Sequence, residues 1–169
     1  SVSGPEKWGY RDSYFLSQPN GTWIESSKTH LSHPNFEVYN HGAATGDIDR
    51  DGDMDVVFSE LKDNRGTFLW CLINDGKGSL KKRKCGGFFA FNIELADLDG
   101  DGYLDVLLGA HEYAPGHQFT GIVWNDGKGN FPQNDNTPLP QYKKKWATIA
   151  EVSAADLDND GDLDIVYSR

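Results

Sequence analysis

Three nine-residue stretches carry the side chains best suited to chemistry. They are Asp47-Ile48-Asp49-Arg50-Asp51-Gly52-Asp53-Met54-Asp55, Asp97-Leu98-Asp99-Gly100-Asp101-Gly102-Tyr103-Leu104-Asp105 and Asp156-Leu157-Asp158-Asn159-Asp160-Gly161-Asp162-Leu163-Asp164. All three follow D-x-D-x-D-G-x-x-D. Carboxylates packed this densely repel one another and raise one another's pKa. A hard cation removes that repulsion, and calcium takes six to eight oxygen ligands at about 2.3–2.6 Å from flexible loops. The pattern therefore points to one calcium ion per loop, about three in all.

The spacing assigns roles. Aspartates at positions 1, 3 and 5 turn toward one centre: Asp47, Asp49 and Asp51; Asp97, Asp99 and Asp101; Asp156, Asp158 and Asp160. Glycine at position 6 permits a sharp bend. Position 7 offers a backbone carbonyl, so its side chain varies among Asp53, Tyr103 and Asp162. Asp55, Asp105 and Asp164 at position 9 close the shell. Apolar residues at positions 2 and 8 are expected to anchor each loop to a core. An EF-hand would need a glutamate at position 12 and flanking helices. Position 12 is instead Phe58, Leu108 or Tyr167, at the end of an apolar run that suits a buried strand.

Strands must hold such loops. A second motif alternates with the first: Asn74-Asp75-Gly76-Lys77-Gly78, then Asn125-Asp126-Gly127-Lys128-Gly129, with a worn copy at Asn20-Gly21-Thr22. Asn or Asp before Gly, between apolar runs, signals a hairpin. Asp47 lies 28 residues before Asp75, and Asp97 lies 29 before Asp126. The acidic loops start 50 and 59 residues apart. Repeats of this length mean arrays or propellers, whose blades have four strands.

The expected fold is all-β, with propeller-type blades of four antiparallel strands and a calcium loop between the first and second strands of each. First strands are expected at 41–46, 90–96 and 147–155, second strands at 56–60, 106–110 and 165–168. Third strands fall at 67–73 and 121–124. Fourth strands fall at 79–83 and in an irregular stretch from 130. One propeller region spans 1–169, with a half blade at about 10–29, blades at 36–87 and 88–140, and a half blade at 146–169. The two half blades either close a small ring or belong to a larger propeller, completed by more chain or by an oligomer. A chain that begins at Ser1 without Met fits a processed or excised fragment. No segment shows helical period with caps, and the longest loops are expected at 26–34, 112–118 and 132–142.

Composition agrees. The 169 residues are 37% hydrophobic and 12% aromatic, with 19 glycines and a net charge of −10; mean hydropathy is −0.61. The three loops hold five, four and five aspartates, 14 of the 26 acids, and one of the 16 bases. The rest of the chain therefore carries 15 bases against 12 acids, so the acidity belongs to the loops. No basic face with stacking aromatics argues for nucleic acid. The runs Lys81-Lys82-Arg83-Lys84 and Lys143-Lys144-Lys145 read as solvated edges. No apolar stretch is long enough to span a membrane as a helix.

Cys71 and Cys85 lie on the two arms of the hairpin around Asp75-Gly76. They form either a cross-strand disulfide or two separate buried thiols. Weak calcium loops belong mostly to extracellular modules, so an extracellular, cell-surface or periplasmic setting is expected. Asn20-Gly21-Thr22 is a formal glycosylation acceptor.

The run from Ala43 to Val57, with 96–109 and 154–166, resembles the FG-GAP/VCBS repeat of integrin-α-like β-propellers, and the Asn-Asp-Gly-Lys-Gly hairpins resemble the second half of the VCBS form. Leu108-Gly109-Ala110 echoes the signature that names the family. The resemblance covers most of 14–168. It implies one calcium per loop, held by the aspartates at positions 1, 3, 5 and 9 and the carbonyl at position 7. It also implies an extracellular adhesion or recognition module, non-catalytic, that binds a glycan or a protein.

Candidate ligand contacts beside the long loops are His111, Glu112, Tyr113, His117, Tyr142 and Trp146. The alternative is the propeller part of a secreted polysaccharide-degrading hydrolase or lyase, with acid–base groups from His30, His33, His41, His111, His117, Tyr39 and Tyr113. These show no zinc-site or triad spacing, and no G-x-S-x-G turn is present.

Overall fold

The computed structural model describes residues 10–34, 37–38, 40–62, 66–110, 119–140 and 148–168. Its strands, in chain order, are β1 (Tyr10–Arg11), β2 (Phe15–Ser17), β3 (Trp23–Glu25), β4 (Glu37–Val38), β5 (Asn40–Gly46), β6 (Asp55–Lys62) and β7 (Gly66–Asn74). There follow β8 (Leu80–Gly86), β9 (Asn92–Ala96), β10 (Asp105–Gly109), β11 (Gly121–Val123), β12 (Asn136–Pro138), β13 (Glu151–Ala155) and β14 (Asp164–Ser168). A single helical turn, α1 (Ser27–His30), lies between β3 and β4.

The chain is all-β. Two four-stranded antiparallel sheets, β5-β6-β7-β8 and β9-β10-β11-β12, have the form of propeller blades. Three two-stranded sheets complete the described residues: β2-β3, β13-β14 and β1-β4. Among the described residues the hairpins β2-β3 and β13-β14 form separate sheets.

Two expectations are corrected. The stretch 26–34 contains α1, whose start at Ser26 has no side-chain cap. One turn is too short to show helical period in the sequence. The fourth strand expected in the irregular stretch from 130 is the short Asn136–Pro138, set against Gly121–Val123; what is corrected is the expected loop 132–142, which this strand interrupts. A proline there is tolerated because β12 is an edge strand.

The sheets stack face to face, and residue alternation serves both interfaces. Strand β10 is buried at all five positions, which explains why its sequence is a continuous apolar run. Val106 and Leu108 join Val57, Leu69, Phe88, Ile93, Val123 and Phe131 between the first and second sheets. Leu107, one residue out of phase, joins Ile122, Ile149 and Val152 against β13-β14. Register enforces this, since Val106 pairs with Val123 and Leu107 with Ile122. Opposed residues share a face.

Polar groups also cross the interfaces. The Ser59 hydroxyl donates to the Ala90 carbonyl at 2.5 Å. Strands β9 and β13 do not pair directly. Instead the Asn92 and Glu94 side chains accept the backbone N–H groups of Val152 at 3.3 Å and Ala154 at 3.0 Å. Close approach explains some small residues here. A methyl group on Gly46 would lie 2.5 Å from Leu104 Cδ1, and one on Gly109 would lie 2.7 Å from Ile149 Cγ2.

Cys71 and Cys85 form a disulfide, with 5.8 Å between Cα atoms. Cys71 stands opposite Arg83, and Trp70 opposite Lys84, but Leu69 pairs with Gly86. Cys85 is therefore the extra residue of a bulge, which brings it diagonally across from Cys71 on the same face.

Candidate metal centre

Each acidic loop joins the first strand of a sheet to the second: β5 to β6, β9 to β10, β13 to β14. All three fold by the same local rules. Position 4 is left-handed at Arg50 (φ 61°), Gly100 (φ 76°) and Asn159 (φ 63°), and position 6 at Gly52 (φ 97°), Gly102 (φ 90°) and Gly161 (φ 99°). The position-1 carboxylate accepts the position-6 N–H: Gly52 to Asp47 at 3.0 Å, Gly102 to Asp97 at 3.0 Å, Gly161 to Asp156 at 3.1 Å. The position-5 carboxylate accepts the position-7 N–H at 3.0, 2.8 and 3.0 Å for Asp53, Tyr103 and Asp162.

Three carboxylates converge in each loop. Oxygen atoms of Asp47, Asp49 and Asp55 lie within 4.8 Å of one another, as do those of Asp97, Asp99 and Asp101, and those of Asp156, Asp158 and Asp164. The convergent trio differs between loops, taking position 9 in the first and third and position 5 in the second. Asp51, Asp53, Asp160, Asp162 and Asp105 complete the loops outside these trios, and Tyr103 at position 7 has no carboxylate to offer. Asp49 Oδ1 and Asp97 Oδ1 are buried with no hydrogen-bond partner among the described residues. A buried carboxylate oxygen without a donor is costly, and a cation at the centre of each loop would satisfy both. The donor set is all oxygen, which fits calcium or magnesium and not a soft metal.

The position-9 aspartates tie the loops together. Asp55 accepts Ile48 N–H at 3.3 Å and Asn74 N–H at 2.8 Å. Asp105 accepts Leu98 N–H at 3.0 Å and Asn125 N–H at 2.9 Å. Asp164 accepts Leu157 N–H at 3.0 Å. Burial pushes the Asp105 carboxyl up to about 6, opposed by the N–H groups of Asn125 and Leu98 and aided by Asp99 and Asp101. Burial raises Asp55 in the same way, against the N–H groups of Asn74 and Ile48.

Sequence reasoning used the Asn-Asp-Gly turns only as hairpins and missed that their asparagines serve the acidic loops. Asn74 Nδ2 donates to the Met54 carbonyl at 3.1 Å, and Asn125 Nδ2 to the Leu104 carbonyl at 3.0 Å. The signal was the nearly fixed spacing, 19 and 20 residues, from the position-9 aspartate to that asparagine.

The expected apolar anchors hold only in part. Ile48 is fully buried against the turn of the second sheet, 3.1 Å from where a Gly129 Cβ would stand. Leu98 packs toward β13-β14, and Leu104 toward β5. Met54, Leu157 and Leu163 are instead 58%, 60% and 38% exposed. At position 2, Ile48 and Leu98 pack against the following sheet, and Leu157, with no following sheet among the described residues, is bare; Leu163 at position 8 is exposed although its preceding sheet is present.

The alternative catalytic residues are not brought together among the described residues. His30 Nδ1 bonds the Thr29 hydroxyl, His33 Nδ1 that of Ser32, and His41 stacks on Phe91 at 4.3 Å. Tyr39, His111, Glu112, Tyr113, His117, Tyr142 and Trp146 lie outside the described residues.

Stacked four-stranded sheets, each opened by an acidic loop between its first two strands, define a β-repeat protein of propeller type. Residues 89–125 match the FG-GAP repeat and 110–167 the FG-GAP-like repeat. A 93-residue stretch is 31% identical to integrin alpha-3 of Mus musculus, covering 53% of this chain and 9% of that protein. The two matches together span 89–167 and, with the integrin alpha-3 likeness, support an FG-GAP, integrin-alpha-like repeat family.

Proposed function

We propose that the chain is a calcium-stabilised recognition module of the extracellular space. Each acidic loop holds one calcium ion, and the stacked sheets present a non-catalytic surface to a glycan or protein ligand. The observation that carries this reading is the threefold recurrence of converging carboxylates on one backbone template, with orphaned buried oxygens in two loops. The Asp47, Asp97 and Asp156 carboxylates and their loop partners would be the ligands, with the position-7 carbonyls. Calcium would supply charge neutralisation alone, because a loop that provides nearly every ligand leaves little room for substrate.

The extracellular setting draws support from the Cys71–Cys85 disulfide, which persists in oxidising compartments, and from the likeness to an integrin alpha chain. No helix among the described residues is long and apolar enough to cross a membrane.

The blade divisions, about 10–29, 36–87, 88–140 and 146–169, are part of the same reading. So is a place within a larger propeller or oligomer. Val57 and Leu107, at matching positions in β6 and β10, are fully buried beneath the following sheet, whereas their counterpart Val166 in β14 is 55% exposed. A further sheet of the same kind fits that bare face.

The deciding experiment pairs calcium calorimetry with a glycan array probed with and without calcium. Binding of about three ions, with ligand retention lost in EDTA, is expected. Absence of calcium uptake at millimolar concentration would overturn the metal reading, and turnover of an acidic polysaccharide would replace the module with an enzyme.

A further inference from the structure

The acidic loops of the first and second sheets are joined through one buried side chain, Asn125. Its Nδ2 donates to the Leu104 carbonyl of the second loop at 3.0 Å and to the Ile48 carbonyl of the first at 2.8 Å. Its Oδ1 accepts the N–H groups of Gly127 and Gly129, both at 3.0 Å, which fixes the amide orientation. Its backbone N–H donates to Asp105. Every hydrogen-bonding group of the side chain is therefore used, in a residue only 8% exposed.

The two carbonyls are not incidental. Ile48 sits between Asp47 and Asp49, and its own N–H is held by Asp55. Leu104 sits between Tyr103 and Asp105. Any movement of the first loop that turns the Ile48 carbonyl must break the bond to Asn125 or shift the second loop with it. A second contact runs alongside: the Arg50 guanidinium of the first loop stands 5.0 Å from the Tyr103 ring of the second.

Asn74 supplies an internal comparison. It occupies the same place in the first sheet, with its N–H on Asp55, its Nδ2 on the Met54 carbonyl and its Oδ1 on the Gly78 N–H. Those bonds all stay within its own sheet. Asn125 alone of this pair reaches a second loop.

We infer that Asn125 is a positioning residue that couples cation binding at the first loop to cation binding at the second. This rests on the calcium reading of the loops. With the second loop ordered around a cation, Leu104, Asp105 and hence Asn125 would be fixed, and Asn125 would hold the Ile48 carbonyl segment of the first loop in place. The first loop would then need less ordering to bind its own cation. Such coupling is reciprocal, and ordinary values correspond to roughly 5- to 150-fold in affinity.

The test is a double-mutant cycle read by calcium calorimetry. All proteins carry Asp156→Asn to disable the third loop. First-loop affinity is measured with the second loop intact and with Asp97→Asn, each in the Asn125 and Asn125→Ala backgrounds. Asp97→Asn is expected to weaken the first loop at least ~5-fold when Asn125 is present, and not measurably when it is absent. Asn74→Ala, the control, should leave that dependence intact. A residue with only a structural role would weaken both loops and leave the dependence unchanged, which would overturn the inference.

If Asn125→Ala does not fold, as judged by loss of a cooperative melt, Asn125→Asp takes its place. That substitution keeps the acceptor for Gly127 and Gly129 and removes both donors. Calcium uptake with equal effects of Asp97→Asn in both backgrounds defeats the coupling and leaves the metal reading standing. No uptake by the unsubstituted chain defeats both.

Discussion

Asp55 and Asn74 lie 19 residues apart, and the Asn74 N–H donates to Asp55 Oδ1 at 2.8 Å. One carboxylate thus joins the end of an acidic loop to the start of a hairpin turn, while its other oxygen holds Ile48 N–H. Asp55 has no solvent exposure. Asp55→Ala should strand both donors, at about 1–3 kcal/mol for each buried unsatisfied group. Urea denaturation in EDTA checks this independently of metal; a loss below about 0.5 kcal/mol would mean the loop closes by other means.

Calcium removal tests the loops together. Binding to the folded state alone stabilises by about 2.7 kcal/mol per site at a hundredfold excess over Kd. The melting temperature should fall sharply in EDTA and recover with calcium, and the recovery should be partial in Asp97→Asn.

The pH dependence has a definite sign at Asp105. Its folded pKa of about 6 lies above the ordinary 3.8 because burial disfavours the charged form. The folded chain therefore holds this proton more tightly than the unfolded chain does. Without calcium, the penalty is absent below about pH 4 and grows as pH rises through about 6. Stability in EDTA should therefore fall as pH rises from about 4 through about 6, and the fall should be smaller in Asp105→Asn, whose side chain does not titrate. Asp105→Asn also loses one of the two oxygens that accept the Leu98 and Asn125 N–H groups, so the slope with pH, and not the stability at one pH, is the readout. Melting curves in EDTA across that range would show the difference or its absence.

The disulfide closes a 14-residue separation between Cys71 and Cys85. Loop-closure entropy for a loop of that size is worth about 3 kcal/mol. Reduction, or Cys71→Ala with Cys85→Ala, should lower unfolding free energy by about that amount. Calcium affinity should change little, because both sulfurs lie in the core between the first and second sheets and not in a loop.

Gly109→Ala probes the interface of the second and third sheets. Its new methyl would stand 2.7 Å from Ile149 Cγ2 and 3.0 Å from Val152 Cγ1. Overpacking of this kind costs about 1–3 kcal/mol. The third hairpin should loosen first, seen as faster hydrogen exchange in 151–168 than in 55–74.

Much of the fold was legible because the chemistry is local. Four or five carboxylates in nine residues, a glycine at position 6 and an apolar run beyond position 9 set each loop and the strand after it. Those instructions act over a few residues, and the structure shows strands from Asp55, Asp105 and Asp164. The Asn-Asp-Gly turns likewise place β8 after β7.

What the sequence left open are relations between distant segments. The pairing of Cys71 with Cys85 depends on a bulge that no local pattern announces. The exposure of Leu157, against the burial of Ile48 at the same loop position, depends on whether a following sheet stands beside the loop. Asn125 reads as a turn residue in the sequence; the stacking of two sheets carries its side chain to Ile48, 77 residues earlier. Charge repulsion, glycine's left-handed backbone and apolar alternation act within a strand or a turn, so the sequence alone determined the loops and strands. Packing partners and hydrogen bonds between sheets exist only once the sheets are assembled, and they decided how the loops are joined.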